Sequence, residues 1–201
     1  MLFDFGGVLL RQDWDEYDRF GARHGLPPGA MRYALYQTDA WRALQVGRSD
    51  RESWRAAAIE ALAQHIGDRA ETVFEAWRAR PLQFHEPNLR LVTSLRSAGI
   101  RVGLLSNAAA DLVDAYKPHV DFDAFDDLVV SALVGLAKPD EAIYRLAAER
   151  IGIDPRGCFF IDDLEHNVRA AASVGMAGHH FRGDYRALHA DLRAAGIDWD
   201  G

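Results

Sequence analysis

The stretch MLFDFGGVLL, residues 1–10, is an apolar run that stops at Asp4 and opens into Gly6-Gly7. Apolar residues flanking a lone carboxylate fit a strand of a parallel sheet, buried on both faces. Its last side chain then stands at the C-terminal edge, where open α/β sheets bind ligands. Glycine just beyond lets backbone approach a ligand closely. Taken alone, the same letters also fit a strand end with an Asx turn, so the reading depends on what the rest of the chain brings beside Asp4. Only three residues precede Asp4, fewer than the five or six usual in a strand. Either the strand is stunted or the start given lies inside it.

From Pro87 onward the pattern alternates strand and helix. A helix over Leu89–Ala98 stops at Gly99, and the strand Val102–Leu105 ends in Ser106-Asn107. A helix near Asp111–Tyr116 and a strand near Leu128–Val130 follow. Lys138-Pro139 then opens a helix that runs through Ile151 to Gly152. The strand Cys158–Ile161 ends in Asp162-Asp163, a helix spans Leu164–Val174, and Ala177–Phe181 and Asp184–Ala195 form a last strand and helix. Unbroken alternation predicts an α/β fold with a doubly wound parallel sheet and right-handed crossovers.

Between Asp13 and about Arg80 the signals are helical only: Tyr17, Phe20 and His24 share one face, as do Trp54, Ala58, Ile59 and Leu62. Pro27-Pro28 breaks the first helix and starts the second, Gly47 closes the next segment, and Ser49 with Glu52 has the spacing of a capping box. Trp14, Trp41, Trp54 and Trp77 read as core of this small bundle. The organisation expected is therefore a core of residues 1–12 and 87–201, interrupted by a helical insert over 13–86.

With 201 residues, 49 % of them hydrophobic and 26 % charged, the chain can build a sizeable core. A net charge of −7 with scattered arginines argues against nucleic acid, and no apolar run reaches membrane-spanning length. The single cysteine, Cys158, lies in an apolar run and reads as a buried hydrophobe. With no signal peptide in view, it points to a reducing cytoplasm.

In a parallel sheet all strand C-termini share one edge, so Asp4, Ser106-Asn107 and Asp162-Asp163 are expected in one crevice. Three carboxylates converging in a partly dry site cannot all stay ionised without a cation. Mg²⁺, which takes a few carboxylate and carbonyl oxygens plus water and phosphate, suits three aspartates and the backbone at Gly6. Lys138, one of two lysines in an arginine-using chain, offers a compact point charge for phosphate or carboxylate.

These pieces, in this order, resemble the haloacid dehalogenase superfamily over nearly the whole chain. FDFGGV is similar to its first motif, LLSN to its second, Lys138-Pro139 to its third and FIDDLEHNVRAAASVGM to its fourth. The resemblance implies a Rossmann-like core with a helical cap at the insert, and a small phosphorylated substrate, with sugar phosphates among the candidates. It implies that Asp4 attacks phosphorus to form an aspartyl-phosphate that water hydrolyses. Mg²⁺ would be held by Asp4, the Gly6 carbonyl and Asp163, with Asp162 as a further ligand or one step behind. Ser106, Asn107 and Lys138 would bind the phosphoryl group, and Asn167 would orient the aspartate pair. Cap residues Asp13, Trp14, Tyr17, Trp41 and Arg42 are candidates to line the pocket.

Two rival readings share these residues: a metal-free dehalogenase, disfavoured by the charge of Asp162-Asp163, and a non-catalytic module that binds a phosphorylated ligand. The chain also departs from the family at Gly6, where most phosphatases of this type carry a second aspartate that gives and takes the proton. Glycine keeps the carbonyl but supplies no acid. Asp13, Glu16 and His85 are the candidates to replace it, each also readable as an ordinary solvated side chain.

Overall fold

The computed structural model describes residues 1–199; Asp200 and Gly201 at the end of the expected core segment lie outside the described residues. Five parallel strands form one sheet: β1 (Leu2–Phe3), β2 (Gly103–Ser106), β3 (Asp127–Val130), β4 (Phe159–Asp162) and β5 (Ala177–His180), in the order β3-β2-β1-β4-β5. Although β1 has only two residues, it is central: Leu2 and Phe3 pair with Gly103 and Leu104 on one side and with Phe160 and Ile161 on the other. The N–H of Asp4 prolongs the second ladder by donating to the Ile161 carbonyl at 2.9 Å.

Alternation along these strands divides the interior. Phe3, Leu104 and Ile161 enter one apolar layer, which α6 (Glu86–Ser97) and α11 (Tyr185–Ala194) cover through Leu91, Leu95, Leu188 and Leu192. Leu2, Leu105 and Phe160 enter the opposite layer, covered by α9 (Glu141–Arg150) and α10 (Glu165–Ser173) through Ile143, Tyr144, Ala147 and Ala171. Cys158 is buried in this second layer, and burial pushes its thiol pKa up.

Residues 14–78 form α1 (Trp14–Arg23), α2 (Ala30–Tyr36), α3 (Asp39–Leu44), α4 (Arg51–Ile66) and α5 (Ala70–Arg78) around a third apolar cluster that includes Phe20, Met31, Trp54, Leu62 and Phe74. Trp54 is buried there and its indole N–H donates to the Leu35 carbonyl at 2.8 Å, while Trp14, Trp41 and Trp77 pack against the cluster half-buried. The chain leaves and re-enters the sheet side through two paired segments: Arg11 N–H donates to the Gln83 carbonyl and His85 N–H to the Leu9 carbonyl, both at 2.8 Å.

Several helix starts differ from the sequence expectation. The cap of α4 is Asp50, whose carboxylate accepts the Ser53 N–H at 2.7 Å, so Ser49 and Glu52 form no capping box. Helix α2 begins at Ala30, behind Gly29 in the left-handed region, and not at Pro28. Helix α9 begins at Glu141, capped by Asp140, which leaves Lys138-Pro139 in the loop before it. Two short helices complete the fold: α7 (Leu112–Tyr116), and α8 (Ser131–Val134), for which the sequence gives no periodic signal. Among the described residues no helix is long and apolar enough to cross a membrane.

Candidate active site

The ends of β1, β2 and β4 bring Asp4, Ser106 and Asp162-Asp163 to one edge, with Lys138 reaching in from the loop before α9. Asp4 is 7 % exposed, Lys138 5 % and Asp162 0 %. The Lys138 ammonium lies 2.9 Å from Asp4 Oδ1, donates to Asp162 Oδ2 at 2.6 Å and to the Leu105 carbonyl at 3.1 Å. These three partners use its three protons. Burial opposes the charge on Lys138, but the two aspartates outweigh it and its pKa is raised.

The two oxygens of Asp4 differ. Oδ1 accepts the Phe5 N–H at 2.7 Å in addition to Lys138, whereas among the described residues no donor reaches Oδ2. Desolvation is the largest influence on this carboxyl and raises its pKa to about 6, against the opposing pull of Lys138.

Asp162 is engaged on both oxygens. Asn167 Nδ2 donates to each at 3.1 Å, Leu164 N–H to Oδ1 at 2.8 Å, and Lys138 to Oδ2. Asn167 is therefore placed where it orients Asp162, and its own backbone carbonyl accepts from the buried Tyr144 hydroxyl at 2.9 Å.

Asp163 has no such partners: among the described residues no cation pairs with its carboxyl. Burial, then Asp4, then Asp162 push its pKa up to about 8. Its position depends on Gly7, where φ is +75° and a Cβ would run into the Asp163 carboxyl. The second glycine of the opening motif thus leaves room for a residue over 150 positions away. His180 Nε2 lies 3.0 Å from the Asp163 carbonyl and steadies the same turn.

Asp4, Asp162 and Asp163 each offer an oxygen within 4.8 Å of the others. With Lys138 as the one cation in contact among the described residues, the cluster holds more negative than positive charge when ionised. A hard divalent cation that accepts oxygen ligands fits this donor set, through Asp4 and Asp163 above all, since the oxygens of Asp162 are already taken.

Ser106 ends β2 beside Asp4, and among the described residues no protein group binds its hydroxyl. Asn107 is differently occupied: its Oδ1 accepts the Lys138 N–H at 2.8 Å and its Nδ2 donates to the Lys138 carbonyl at 2.9 Å. The side chain expected to touch phosphate therefore clasps the Lys138 backbone. Ser131, unnoticed in the sequence, is fully buried and accepts the Ala108 N–H at 2.9 Å, fixing the loop behind Ser106.

The three candidate acids are each engaged with other partners. Asp13 caps α1 and pairs with Arg19, Glu16 pairs with Arg80, and His85 bonds the Tyr185 hydroxyl at 2.7 Å. Burial lowers the His85 pKa to about 4, so it is neutral at pH 7. Arg42 pairs with Asp39 on the surface. The residue that does cover Gly6 is Gln12: a Cβ built on Gly6 would meet Gln12 Oε1 at 2.9 Å and Nε2 at 3.2 Å.

A family model of haloacid dehalogenase-like hydrolases matches residues 1–175. The sesquiterpene phosphatase astK of Aspergillus oryzae is 35 % identical over 91 residues, 45 % of this chain and 46 % of that protein. The GMP/IMP nucleotidase YrfG of Escherichia coli is 28 % identical over 187 residues, 88 % of this chain and 79 % of its own length. The chain spans less than half the length of the first curated relatives it matches. Among solved structures, a HAD family enzyme of Bacteroides thetaiotaomicron in complex with magnesium and inorganic phosphate shares the fold, with a TM-score of 0.69 at 23 % identity over 93 % of this chain and 96 % of that one.

Proposed function

Because this chain belongs to the haloacid dehalogenase-like hydrolases, we propose that it is a Mg²⁺-dependent phosphatase that hydrolyses a small phosphorylated metabolite through a phosphorylated Asp4. The observation that carries this reading is the charge at the sheet edge, where three carboxylates lie within 4.8 Å and Asp163 has no cation of its own. Such a site has room in its electrostatics for a metal and, with it, an anionic substrate.

In this reading Asp4 Oδ2, the oxygen without a donor, attacks phosphorus in line while Oδ1 stays fixed by Phe5 and Lys138. The P–O bond to the leaving group breaks, and water then attacks the phosphorus of the aspartyl-phosphate and releases Asp4. Ser106 donates its hydroxyl to a phosphoryl oxygen. Lys138 acts mainly through its charge, because its three protons are already committed, and Asn107 and Asp162 hold it in place. Mg²⁺, held by Asp4, the Gly6 carbonyl and Asp163, would supply positive charge to the transferring phosphoryl oxygens. Positioning and electrostatics of this kind account for most of the catalysis of phosphoryl transfer.

Residues 13–86 are the cap in this proposal, with 1–12 and 87–201 as the core. The pairing of the Arg11 and His85 segments, together with the bidentate Arg51–Asp111 contact at 2.5 and 2.7 Å from α4 to the loop behind Ser106, supports a closed arrangement over Asp4. Opening of this cap admits the substrate.

A screen for phosphate release across phosphorylated metabolites tests the function. Turnover is expected with Mg²⁺ and its loss is expected in EDTA, with recovery on adding Mg²⁺ back. Halide release from a haloacid that persists in EDTA would instead select the dehalogenase reading.

A further inference from the structure

The roof over Gly6 is a chain of polar groups that the family motifs do not include. Gln12 follows the opening strand and turn, and its Nε2 donates to the Tyr36 hydroxyl at 3.3 Å; that hydroxyl is 3.1 Å from the hydroxyl of Tyr17. Trp14 flanks both tyrosines, with ring centroids 5.0 Å from Tyr17 and 5.7 Å from Tyr36. Burial, then the neighbouring tyrosines, hold the Tyr17 pKa well above its usual value. Both phenols stay protonated through the working pH range.

In-line transfer to Asp4 requires the leaving oxygen, and then the hydrolytic water, to occupy the position opposite the attacking carboxylate. The family resemblance assigns that place to the side chain of residue 6, which glycine lacks. Here the Gln12 carboxamide takes up the space. One Nε2 proton goes to Tyr36; the other proton and the carbonyl lone pairs remain. An amide so held can donate to a leaving oxygen and then accept from a water, but it cannot transfer a proton, so the leaving group departs as the anion and the water's proton stays on the phosphate that is released.

We propose that Gln12, steadied by Tyr36 and Tyr17, is the contact for the leaving oxygen and the hydrolytic water in this chain, so that its substrates are phosphates whose leaving group departs as a weakly basic anion. Anomeric sugar phosphates, aryl phosphates and acyl phosphates have that chemistry; simple alkyl phosphates do not. The inference rests on the phosphatase reading above.

The test compares 4-nitrophenyl phosphate with glycerol phosphate for the parent, Gln12→Ala and Gln12→Glu, all with Mg²⁺. Gln12→Glu keeps the length of the side chain and adds a carboxyl that can give a proton, so the preference for the aryl ester should shrink by about tenfold or more. Gln12→Ala should slow both esters and widen that preference, with the melting temperature within a few degrees of the parent. An aryl-to-alkyl ratio unmoved in both variants, in a parent that hydrolyses the aryl ester, overturns the role of Gln12 and leaves the phosphatase reading intact. A parent that hydrolyses neither ester, nor any phosphate in the screen, overturns both.

Discussion

Asp4→Asn is expected to abolish phosphate release from every substrate, lowering kcat by at least a thousandfold, while the protein stays folded. The amide has no negative oxygen to attack phosphorus, yet its carbonyl can still accept from Phe5 and Lys138 as Oδ1 does. In the metal-free protein the same change should raise the melting temperature above pH 6. The sign follows from the pKa, which rises from the usual 3.8 to about 6 on folding. The folded state holds its proton longer, so stability falls as pH climbs from about 4 through 6 and the deficit is complete above 6. Asparagine carries no such deficit, so the gain should vanish below pH 4. Thermal unfolding in EDTA at pH 4 and pH 8 measures it, and turnover within tenfold of the parent would remove Asp4 as nucleophile.

Lys138→Ala should lower kcat/KM by about 2–4 kcal/mol, roughly 30- to 1000-fold, because a preorganised charge is lost from both ground and transition states. It should also destabilise the fold, by about 3–5 kcal/mol for a broken buried ion pair. Asp162 is wholly buried and Asp4 nearly so, and both lose their cation. Lys138→Met, which keeps most of the aliphatic stem and removes the ammonium that lies 5.2 Å from the Phe160 ring centroid, separates packing from charge: an equal kinetic loss assigns the effect to the ammonium. An unchanged kcat/KM in a folded variant would demote Lys138 to a loop anchor.

The sheet was legible because a buried parallel strand writes itself as a short apolar run ending in a polar residue. LLS before Asn107 and FFI before Asp162 carry that signal, and the strands Gly103–Ser106 and Phe159–Asp162 lie one residue beyond the bounds expected. Meeting at one edge follows from parallel topology, and the structure brings Asp4, Ser106, Lys138, Asp162 and Asp163 together there. Which of two adjacent aspartates is tied and which is free does not follow, since it depends on where Asn167 and Lys138 aim their protons. The occupation of Asn107 by the Lys138 backbone is hidden for the same reason: the two are 31 positions apart. Helix starts were misread where a carboxylate stood near the expected cap, as at Asp50 and Asp140.

Gln12 left no mark in the sequence. It lies in the segment joining strand to helix, outside any periodic pattern, and only the fold shows that it covers Gly6. Gly7 was legible as a turn but not as the space beside Asp163. Both cases concern volume shared by residues distant in the chain, which local pattern does not encode.

In the proposed reaction Asp4 carries the phosphoryl group. Protein mixed with Mg²⁺ and an activated aryl phosphate can be quenched in acid within a turnover, treated with borohydride and digested for mass spectrometry. An acyl phosphate is reduced to an alcohol, so the peptide containing residue 4 should show homoserine in place of aspartate, absent in Asp4→Asn and when Mg²⁺ is left out. Rapid phosphate release with Asp4 unreduced, or with the reduction at another residue, would exclude Asp4 as the phosphorylated residue.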